Sequence, residues 1–178
     1  MYENPRGTRK NQNLSQSEHI KQLQMLLDVS RQVAALDTLD AVLDTLVSVA
    51  VAETKAERGT LFLHDAMTGE LFSRVAQGLK RHEIRILDNV GIAGHTFQSG
   101  EGQIIHDAYN DERFNRDVDA ETGFTTKSIL AAPVRNAKGE VIGVAQVLNK
   151  KEGQFTEMDL TVLEGMTTQC AITLQSMQ

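Results

Sequence analysis

Two pairs of β-like segments, each joined by a short turn, constrain the fold of this chain more than any other feature. In the first pair, residues 59–65 (GTLFLHD) and 70–77 (ELFSRVAQ) flank the turn AMTG. In the second pair, residues 128–136 (SILAAPVRN) and 140–149 (EVIGVAQVLN) flank the turn AKG. Short apolar runs around a Gly-containing turn are typical of β-hairpins. Because the two strands of a hairpin run antiparallel, we expect an antiparallel sheet.

Helical patterns precede and follow the hairpins. Ser15 and Glu18 have the spacing of a capping box and predict the start of a first helix. One face of that helix carries Ile20, Leu23, Leu27 and Ala34. These two heptads suggest helix pairing without establishing a coiled coil. Asp37 is a suitable N-cap for a second helix over residues 38–55, which has a broad apolar stripe, and a last helix is expected over residues 157–177.

This order of elements is typical of an α+β domain whose antiparallel sheet is covered by helices on one face. The 178 residues suit a single domain. Residues 1–14 are polar and aperiodic, so we expect a disordered lead-in there and a folded domain over residues 15–178. Residues 80–127 predict loops and short helices rather than strands. A connection this long inside a compact domain is usually functional or disordered, and its mixture of apolar and polar residues favours function.

Charge and composition exclude several classes of protein. The net charge of −6 argues against nucleic-acid binding, which requires a basic surface. The longest apolar run, residues 46–52, is too short to span a bilayer. No basic-then-apolar leader opens the chain, so we expect a cytoplasmic protein. The single cysteine, Cys170, excludes an intrachain disulfide framework, and its apolar helical surroundings predict a buried, inert thiol.

The sequence contains no recognisable catalytic or metal-binding constellation. No two of its five histidines have metal-ligand spacing with a carboxylate helper. The stretch GIAGHT, residues 91–96, lacks the lysine of a phosphate-binding P-loop, and no G-x-S-x-G hydrolase turn occurs. We therefore predict that this domain is not an enzyme and holds no metal.

The middle of the chain instead offers groups that suit a small ligand. Gly91 precedes a predicted short helix over residues 92–99, whose first amides, at Ile92 and Ala93, would form an anion site. A glycine turn without any binding role is an equally good interpretation. Further along, Phe114 could fill the core beside the pocket and is also a candidate ligand-binding residue. Short polar side chains that could converge on a ligand are Asn115, Asp119, Thr122, Thr126 and Ser128. A solvated loop with a capped helix is the alternative there.

Three stretches of the chain resemble the GAF domain family. They are residues 88–101 (DNVGIAGHTFQSGE), 107–115 (DAYNDERFN) and 125–150 (TTKSILAAPVRNAKGEVIGVAQVLNK). The resemblance is to the GAF domains of cyanobacterial adenylyl cyclases and animal cyclic-nucleotide phosphodiesterases in particular, and it covers residues 26–177. It implies a central antiparallel sheet of about six strands, with the N- and C-terminal helices on one face. A ligand pocket under loops and short helices is implied on the other face.

A spread motif contributes to this resemblance. Cyclic-nucleotide-binding GAF domains carry Asn-Lys, a variable gap, Phe, three residues and then Asp-Glu. Here Asn149, Lys150, Phe155 and Asp159 match, and Leu160 stands in place of the Glu. In the family these residues mostly brace the pocket, and the Lys and Asp form a clasp between a strand end and a helix start.

The residue chemistry predicts the same turn without any ligand. Thr156 is a suitable N-cap for the last helix, with Asp159 as its capping-box partner. Phe155 and Leu160 have the spacing of a hydrophobic staple across that cap. The motif therefore indicates family membership more than it indicates binding.

The resemblance also implies ligand contacts, residue by residue. Arg58 and Thr60 match an Arg-x-Thr that opens a pocket strand in the cyclase GAF domains. Ile92 and Ala93 match the helix start whose amides meet a cyclic phosphate, and Gln146 matches a position on the pocket floor. The region of the lid helix is matched by Asp119, Thr122 and Thr126. No residue can be assigned to discriminate the base, so cAMP and cGMP both stay open.

Taken with the residues, the resemblance predicts a regulatory module of a larger signalling protein. A cyclic nucleotide, bound without any covalent cofactor, would order the lid and bias the terminal helices. Those helices would form a homodimer and lead to an output domain C-terminal to this chain. The alternative is a ligand-free GAF domain that serves as a dimerisation and signalling scaffold.

Other activities of the family fit less well. Pigment-binding GAF domains attach a bilin through a pocket cysteine, whereas Cys170 is predicted on the last helix. Methionine-sulfoxide reductases of the family need several cysteines. A haem-binding version would need His95 or His106 in the pocket, and the sequence leaves that possibility open.

Overall fold

A computed structural model of the chain describes residues 15–78 and 83–176. The predicted lead-in over residues 1–14 and the end of the last helix at Met177 lie outside the described residues. Within the described ranges, six strands form one antiparallel sheet in the order β3-β2-β1-β6-β5-β4. The strands are β1 (Ala56–Asp65), β2 (Glu70–Ala76), β3 (Arg85–Leu87), β4 (Gln103–Ile105), β5 (Ile129–Arg135) and β6 (Val141–Lys150).

The described part of the chain also holds five α-helices and one short 3₁₀ helix. The α-helices are α1 (Gln16–Ala34), α2 (Leu39–Thr54), α3 (Gly91–Ser99), α4 (Arg116–Thr122) and α5 (Glu157–Ser176), and the 3₁₀ helix is Ala108–Asn110. In this part of the chain, no helix is both long enough and apolar enough to cross a bilayer.

The two predicted hairpins are β1–β2 and β5–β6, and they meet along β1 and β6 at the centre of the sheet. Alternation along these strands sends successive side chains to opposite faces. Leu61 and Val147 point to the face covered by α2 and α5, where the larger core cluster lies. Phe62 and Val144 belong to a second cluster on the opposite face. The predicted α+β architecture, with the N- and C-terminal helices on one face of an antiparallel sheet, is confirmed.

The prediction that residues 80–127 contain no strands is wrong. The three-residue strands β3 and β4 form the two edges of the sheet, where β3 pairs with the start of β2 and β4 pairs with the start of β5. Strands this short carry no alternation that a sequence pattern can reveal. They are strands because an exposed hairpin edge supplies their hydrogen bonds.

The helix caps follow the sequence with one correction. Ser15 and Glu18 form the predicted capping box at the start of α1. The predicted N-cap Asp37 is wrong, because the Oγ1 atom of Thr38 accepts the Ala41 N–H at 3.2 Å. Thr38 has the extended backbone of an N-cap, so α2 begins one residue later than predicted.

The apolar face predicted for α1 points away from the domain. Ile20, Leu23 and Leu27 are each more than half exposed. The helix instead packs onto the domain through Met25, Leu26, Val29 and Val33. A helix with apolar residues on both sides packs through one of them, and tertiary contacts decide which one.

Cys170 lies inside the core between α5 and the sheet. Burial raises the pKa of its thiol to about 12. The thiol therefore stays protonated near neutral pH, which agrees with the predicted inert cysteine.

Candidate functional site

A pocket opens on the face of the sheet opposite α2 and α5. Its empty volume is about 720 Å³, including the space open to solvent, and β1, β2 and β6 form its floor. The start of α3 and the segment around α4 cover it. Ten of the eleven sequence-predicted candidates line this pocket: Arg58, Thr60, Ile92, Ala93, Phe114, Asn115, Asp119, Thr122, Thr126 and Gln146. The eleventh, Ser128, lies outside the lining, and its Oγ atom accepts the backbone N–H of Lys150.

The floor of the pocket presents polar groups at matching positions on neighbouring strands. Arg58 and Thr60 share one face of β1 because alternate residues of a strand do so. Gln146 on β6 pairs directly with Thr60 across the sheet. The floor therefore places a guanidinium, a hydroxyl and an amide side by side among apolar residues.

The Arg58 guanidinium lies between the floor of the pocket and the segment after α4. Its central carbon is 4.1 Å from the centroid of the Phe124 ring, a cation–π contact between β1 and the segment after α4. The guanidinium also lies against Gly78, where a Cβ atom would come within 2.6 Å of the guanidinium carbon. Among the described residues, no carboxylate forms an ion pair with Arg58. The charge is thus available to an anionic ligand.

The start of α3 supplies a second group for an anion. Its N-cap, Val90, offers no side-chain hydrogen bond. The first amides of a helix have no acceptor within the helix, and those of this helix belong to residues that line the pocket, including Ile92 and Ala93. Gly91 has a φ of +74°, and a Cβ atom there would be 3.2 Å from the Asn115 Cβ. Glycine therefore allows α3 to begin directly against the segment that covers the pocket.

Residues 115–126, which include α4 and the segment after it, are here called the lid. Asn115 caps α4 by accepting the Asp117 N–H at 3.1 Å. The buried Asp119 carboxylate accepts three hydrogen bonds of 2.7 Å each, from the Tyr109 hydroxyl and from the N–H and hydroxyl of Thr126. The first of these bonds raises the pKa of Tyr109. Both carboxylate oxygens are thus used within the protein, so Asp119 holds the lid in place.

The four matching motif residues lie outside the pocket lining. Lys150 Nζ is 2.8 Å from Asp159 Oδ2, and both side chains are largely buried. Thr156 and Asp159 form a reciprocal capping box at the start of α5. Phe155 is buried, and Leu160 packs against the same core cluster. In this geometry the motif joins the end of β6 to the start of α5.

Several lining residues were not predicted from the sequence: Phe62, Ala76, Gln77, Ile84, Ile86, Gly91, Val118, Phe124, Ile129 and Leu148. Strand alternation would have indicated two of them, since Phe62 follows Thr60 by two residues and Leu148 follows Gln146 by two. Phe124 had no such signal, because its position depends on how the lid returns to the sheet.

No histidine among the described residues lines the pocket. His64 Nε2 is 2.9 Å from Asp88 Oδ2, and its ring stacks on Phe97 with 4.4 Å between centroids. Neither His95 nor His106 lines the pocket. Over the described ranges, no three His, Cys, Asp or Glu side chains are grouped as metal ligands.

The segment ahead of the lid contains a carboxylate with a strongly shifted pKa. Arg113 donates side-chain and backbone hydrogen bonds to Asp111 and lowers the pKa of that carboxyl to about 2. The folded pKa lies below the ordinary value of 3.8, so this contact stabilises the fold above pH 4 and the stabilisation is lost as the pH falls towards 2. An NMR titration of the Asp111 carboxyl carbon should give a midpoint of about 2. Arg113→Gln should move the midpoint up, and a midpoint near 4 in the unchanged chain would contradict the contact.

The architecture is that of an α+β domain with a covered pocket on the face of the sheet opposite α2 and α5. The GAF domain family model matches residues 38–174, and the chain belongs to that family. The chain is 39% identical over 162 residues to the probable 3′,5′-cyclic phosphodiesterase pde-5 of Caenorhabditis elegans, covering 84% of this chain and 22% of that protein. It is also 39% identical over 140 residues to the dual 3′,5′-cyclic-AMP and -GMP phosphodiesterase 11 of Drosophila melanogaster. That alignment covers 69% of this chain and 10% of that protein.

The chain thus spans about a tenth to a fifth of the length of these curated relatives. Solved structures share the fold at lower identity. The GAF domain of a phosphoenolpyruvate-protein phosphotransferase from Coxiella burnetii aligns with a TM-score of 0.78 at 20% identity, covering 88% of this chain and 94% of that one. The free methionine-R-sulfoxide reductase from Neisseria meningitidis aligns with a TM-score of 0.73 at 18% identity, covering 92% of this chain and 93% of that one. At these identities the likeness supports the fold alone.

Proposed function

We propose that this chain is a regulatory module that binds a cyclic nucleotide, cAMP or cGMP. The observation that carries the proposal is the composition of the pocket. It joins the start of α3, which has no side-chain cap, to the Arg58 guanidinium, which forms no ion pair within residues 15–78 and 83–176. An apolar wall that includes Phe62, Ile86 and Leu148 completes it. A cyclic nucleotide has matching parts, namely one negative phosphate and a flat, largely apolar base.

The electrostatics of the pocket support an anionic ligand despite the acidic chain. A helix start attracts an anion through its nearby amides and the helix dipole. The net negative charge of the chain matters little there, because salt screens the more distant surface charges. Among the described lining residues, Arg58 is the one cation, and the carboxylate of Asp119 is held by three internal hydrogen bonds. The relatives named above are phosphodiesterases of cyclic nucleotides, which agrees with this ligand class.

The proposal includes a larger cytoplasmic protein around this module. Ligand binding would order the lid, and the change would pass to α1 and α5 and then to an output domain that follows on the same chain. The exposed face of Ile20, Leu23 and Leu27 would pair two copies of the chain. A catalytic role is not proposed for this domain.

The test is calorimetric titration of the chain with cAMP and with cGMP, together with thermal unfolding. One nucleotide at a hundred times its dissociation constant should add about 2.7 kcal/mol to the free energy of unfolding, because only the folded state binds it. A matched control is adenosine or guanosine, which lacks the phosphate and should bind more weakly. If neither cyclic nucleotide produces heat or a thermal shift, the proposal fails and a ligand-free scaffold becomes the better interpretation.

A further inference from the structure

The side chain of Asn149 holds the end of the lid to the sheet. Its Oδ1 atom accepts the N–H groups of Lys127 and Ser128 at 2.6 and 3.2 Å. Its Nδ2 atom donates to the carbonyl of Thr125 at 2.9 Å and to Glu57 Oε2 at 3.3 Å. Asn149 is only 3% exposed, so its amide would lack hydrogen-bond partners if these backbone groups moved away.

Thr126 is therefore held from both sides. Its own N–H and hydroxyl donate to Asp119 on α4, while the residues before and after it are bonded to Asn149 on β6. Movement of α4 away from the pocket would either break the two hydrogen bonds between Asp119 and Thr126 or carry Thr126 with it. Movement of Thr126 would in turn strain the bonds from Asn149 to the neighbouring residues.

The next residue continues the connection to two helices on the other face of the sheet. Lys150 Nζ donates to the carbonyl of Thr54, the last residue of α2, and to Asp159 in the first turn of α5, each at 2.8 Å. Its backbone N–H donates to Ser128 Oγ at 3.1 Å. A continuous set of buried and partly buried hydrogen bonds thus runs from the lid to the end of α2 and the start of α5. Partial exclusion of water strengthens such bonds.

We propose that Asn149 is a positioning residue that couples the lid to α2 and α5. Closure of the lid holds Thr126 and Asn149 in the observed geometry, and that geometry sets the position of Lys150 between the two helices. The statement that a ligand closes the lid and so acts on α2 and α5 rests on the proposed cyclic-nucleotide function. The connection from the lid through Asn149 to the two helices does not depend on that function. Because coupling between two sites is reciprocal, a change at Lys150 must also alter the lid.

The backbone at Asn149 allows a clean variant. Its φ of +59° lies in the left-handed region, which glycine adopts without strain. Asn149→Gly therefore removes the side-chain bonds and leaves the backbone conformation accessible. Asn136→Gly is the matched control, because Asn136 also bonds backbone groups through its side chain, at the opposite end of the β5–β6 hairpin.

The first experiment needs no ligand and measures amide hydrogen exchange in the 178-residue chain. Lys150→Met should speed exchange of lid amides about fivefold or more relative to the central strands β1 and β6, although Lys150 does not line the pocket. In the Asn149→Gly background, the same change should add little further, while Asn136→Gly should leave the lid unaltered. Unchanged lid exchange in Lys150→Met, or an equal increase in both backgrounds, would overturn the coupling.

The second experiment repeats the exchange measurement with saturating cAMP or cGMP. In the unchanged chain, nucleotide should slow exchange both in the lid and in residues 157–160 of α5. In Asn149→Gly, the lid should still respond and the response of α5 should be lost. A retained α5 response in Asn149→Gly overturns the inference. If nucleotide alters no exchange in the unchanged chain, the proposed function fails and the ligand-free experiment alone decides the coupling.

Discussion

Asp159→Ala should lower the free energy of unfolding by about 3 to 5 kcal/mol, the usual cost of breaking a buried ion pair from one side. Asp159 and Lys150 are 2.8 Å apart, with side chains only 11% and 13% exposed. Without the carboxylate, the nearly buried Lys150 ammonium would keep the Thr54 carbonyl as its one hydrogen-bond partner among the described residues, together with the Phe155 ring at 5.8 Å. Chemical denaturation followed by circular dichroism measures the change.

Two further variants separate the ion pair from the helix cap. Thr156→Ala removes only the cap and should cost about 1 kcal/mol, which is also all that the capping pattern in the sequence predicts for Asp159. Replacing both charges, with Lys150→Met and Asp159→Leu together, should cost less than Asp159→Ala because no unpaired charge remains. An Asp159→Ala protein as stable as Thr156→Ala would contradict this account. So would loss of nucleotide binding without any loss of stability.

Arg58→Ala should weaken cyclic-nucleotide binding about 10- to 100-fold, since hydrogen bonds to a charged group contribute about 1.5 to 3 kcal/mol. The fold should stay intact, because Arg58 is half-buried and its described contacts are the Phe124 ring and the Gly78 backbone. Titration calorimetry measures the affinity, and thermal unfolding of the unliganded protein checks the fold.

Comparison variants show which property of Arg58 matters. Arg58→Lys keeps the charge but loses the flat guanidinium that stacks on Phe124, so it should recover only part of the affinity. Thr122→Ala removes one neutral hydroxyl at the end of α4 and should cost about fivefold, the effect of a single neutral hydrogen bond. Equal affinity of Arg58→Ala and the unchanged protein would show that the guanidinium does not contact the ligand.

Much of the fold was predictable because its signals are local. The two hairpins follow from apolar runs around short turns, and the start of α1 follows from Ser15 and Glu18. The candidate residues came partly from a resemblance and partly from residue chemistry, and the structure brings all of them except Ser128 to one pocket. Their contact with a ligand stays a prediction.

Other features were not predictable because they depend on residues distant in the chain. The edge strands β3 and β4 exist through pairing with hairpins formed elsewhere. The sequence predicted Asp119 as a ligand contact, and only the fold shows that its carboxylate also accepts hydrogen bonds from Tyr109 and Thr126. Phe124 reached the pocket without any pattern in its own neighbourhood.

The stretch from Asn149 to Asp159 shows the division most clearly. By itself, the sequence determined a strand that ends in a capped turn and a helix that begins at Glu157, because caps and alternation involve residues a few positions apart. Only the tertiary structure decided that Asn149 holds the lid and that Lys150 joins α2 to α5. Those bonds link residues 9 to 96 positions apart in the chain, and their strength comes from burial that only the assembled domain provides.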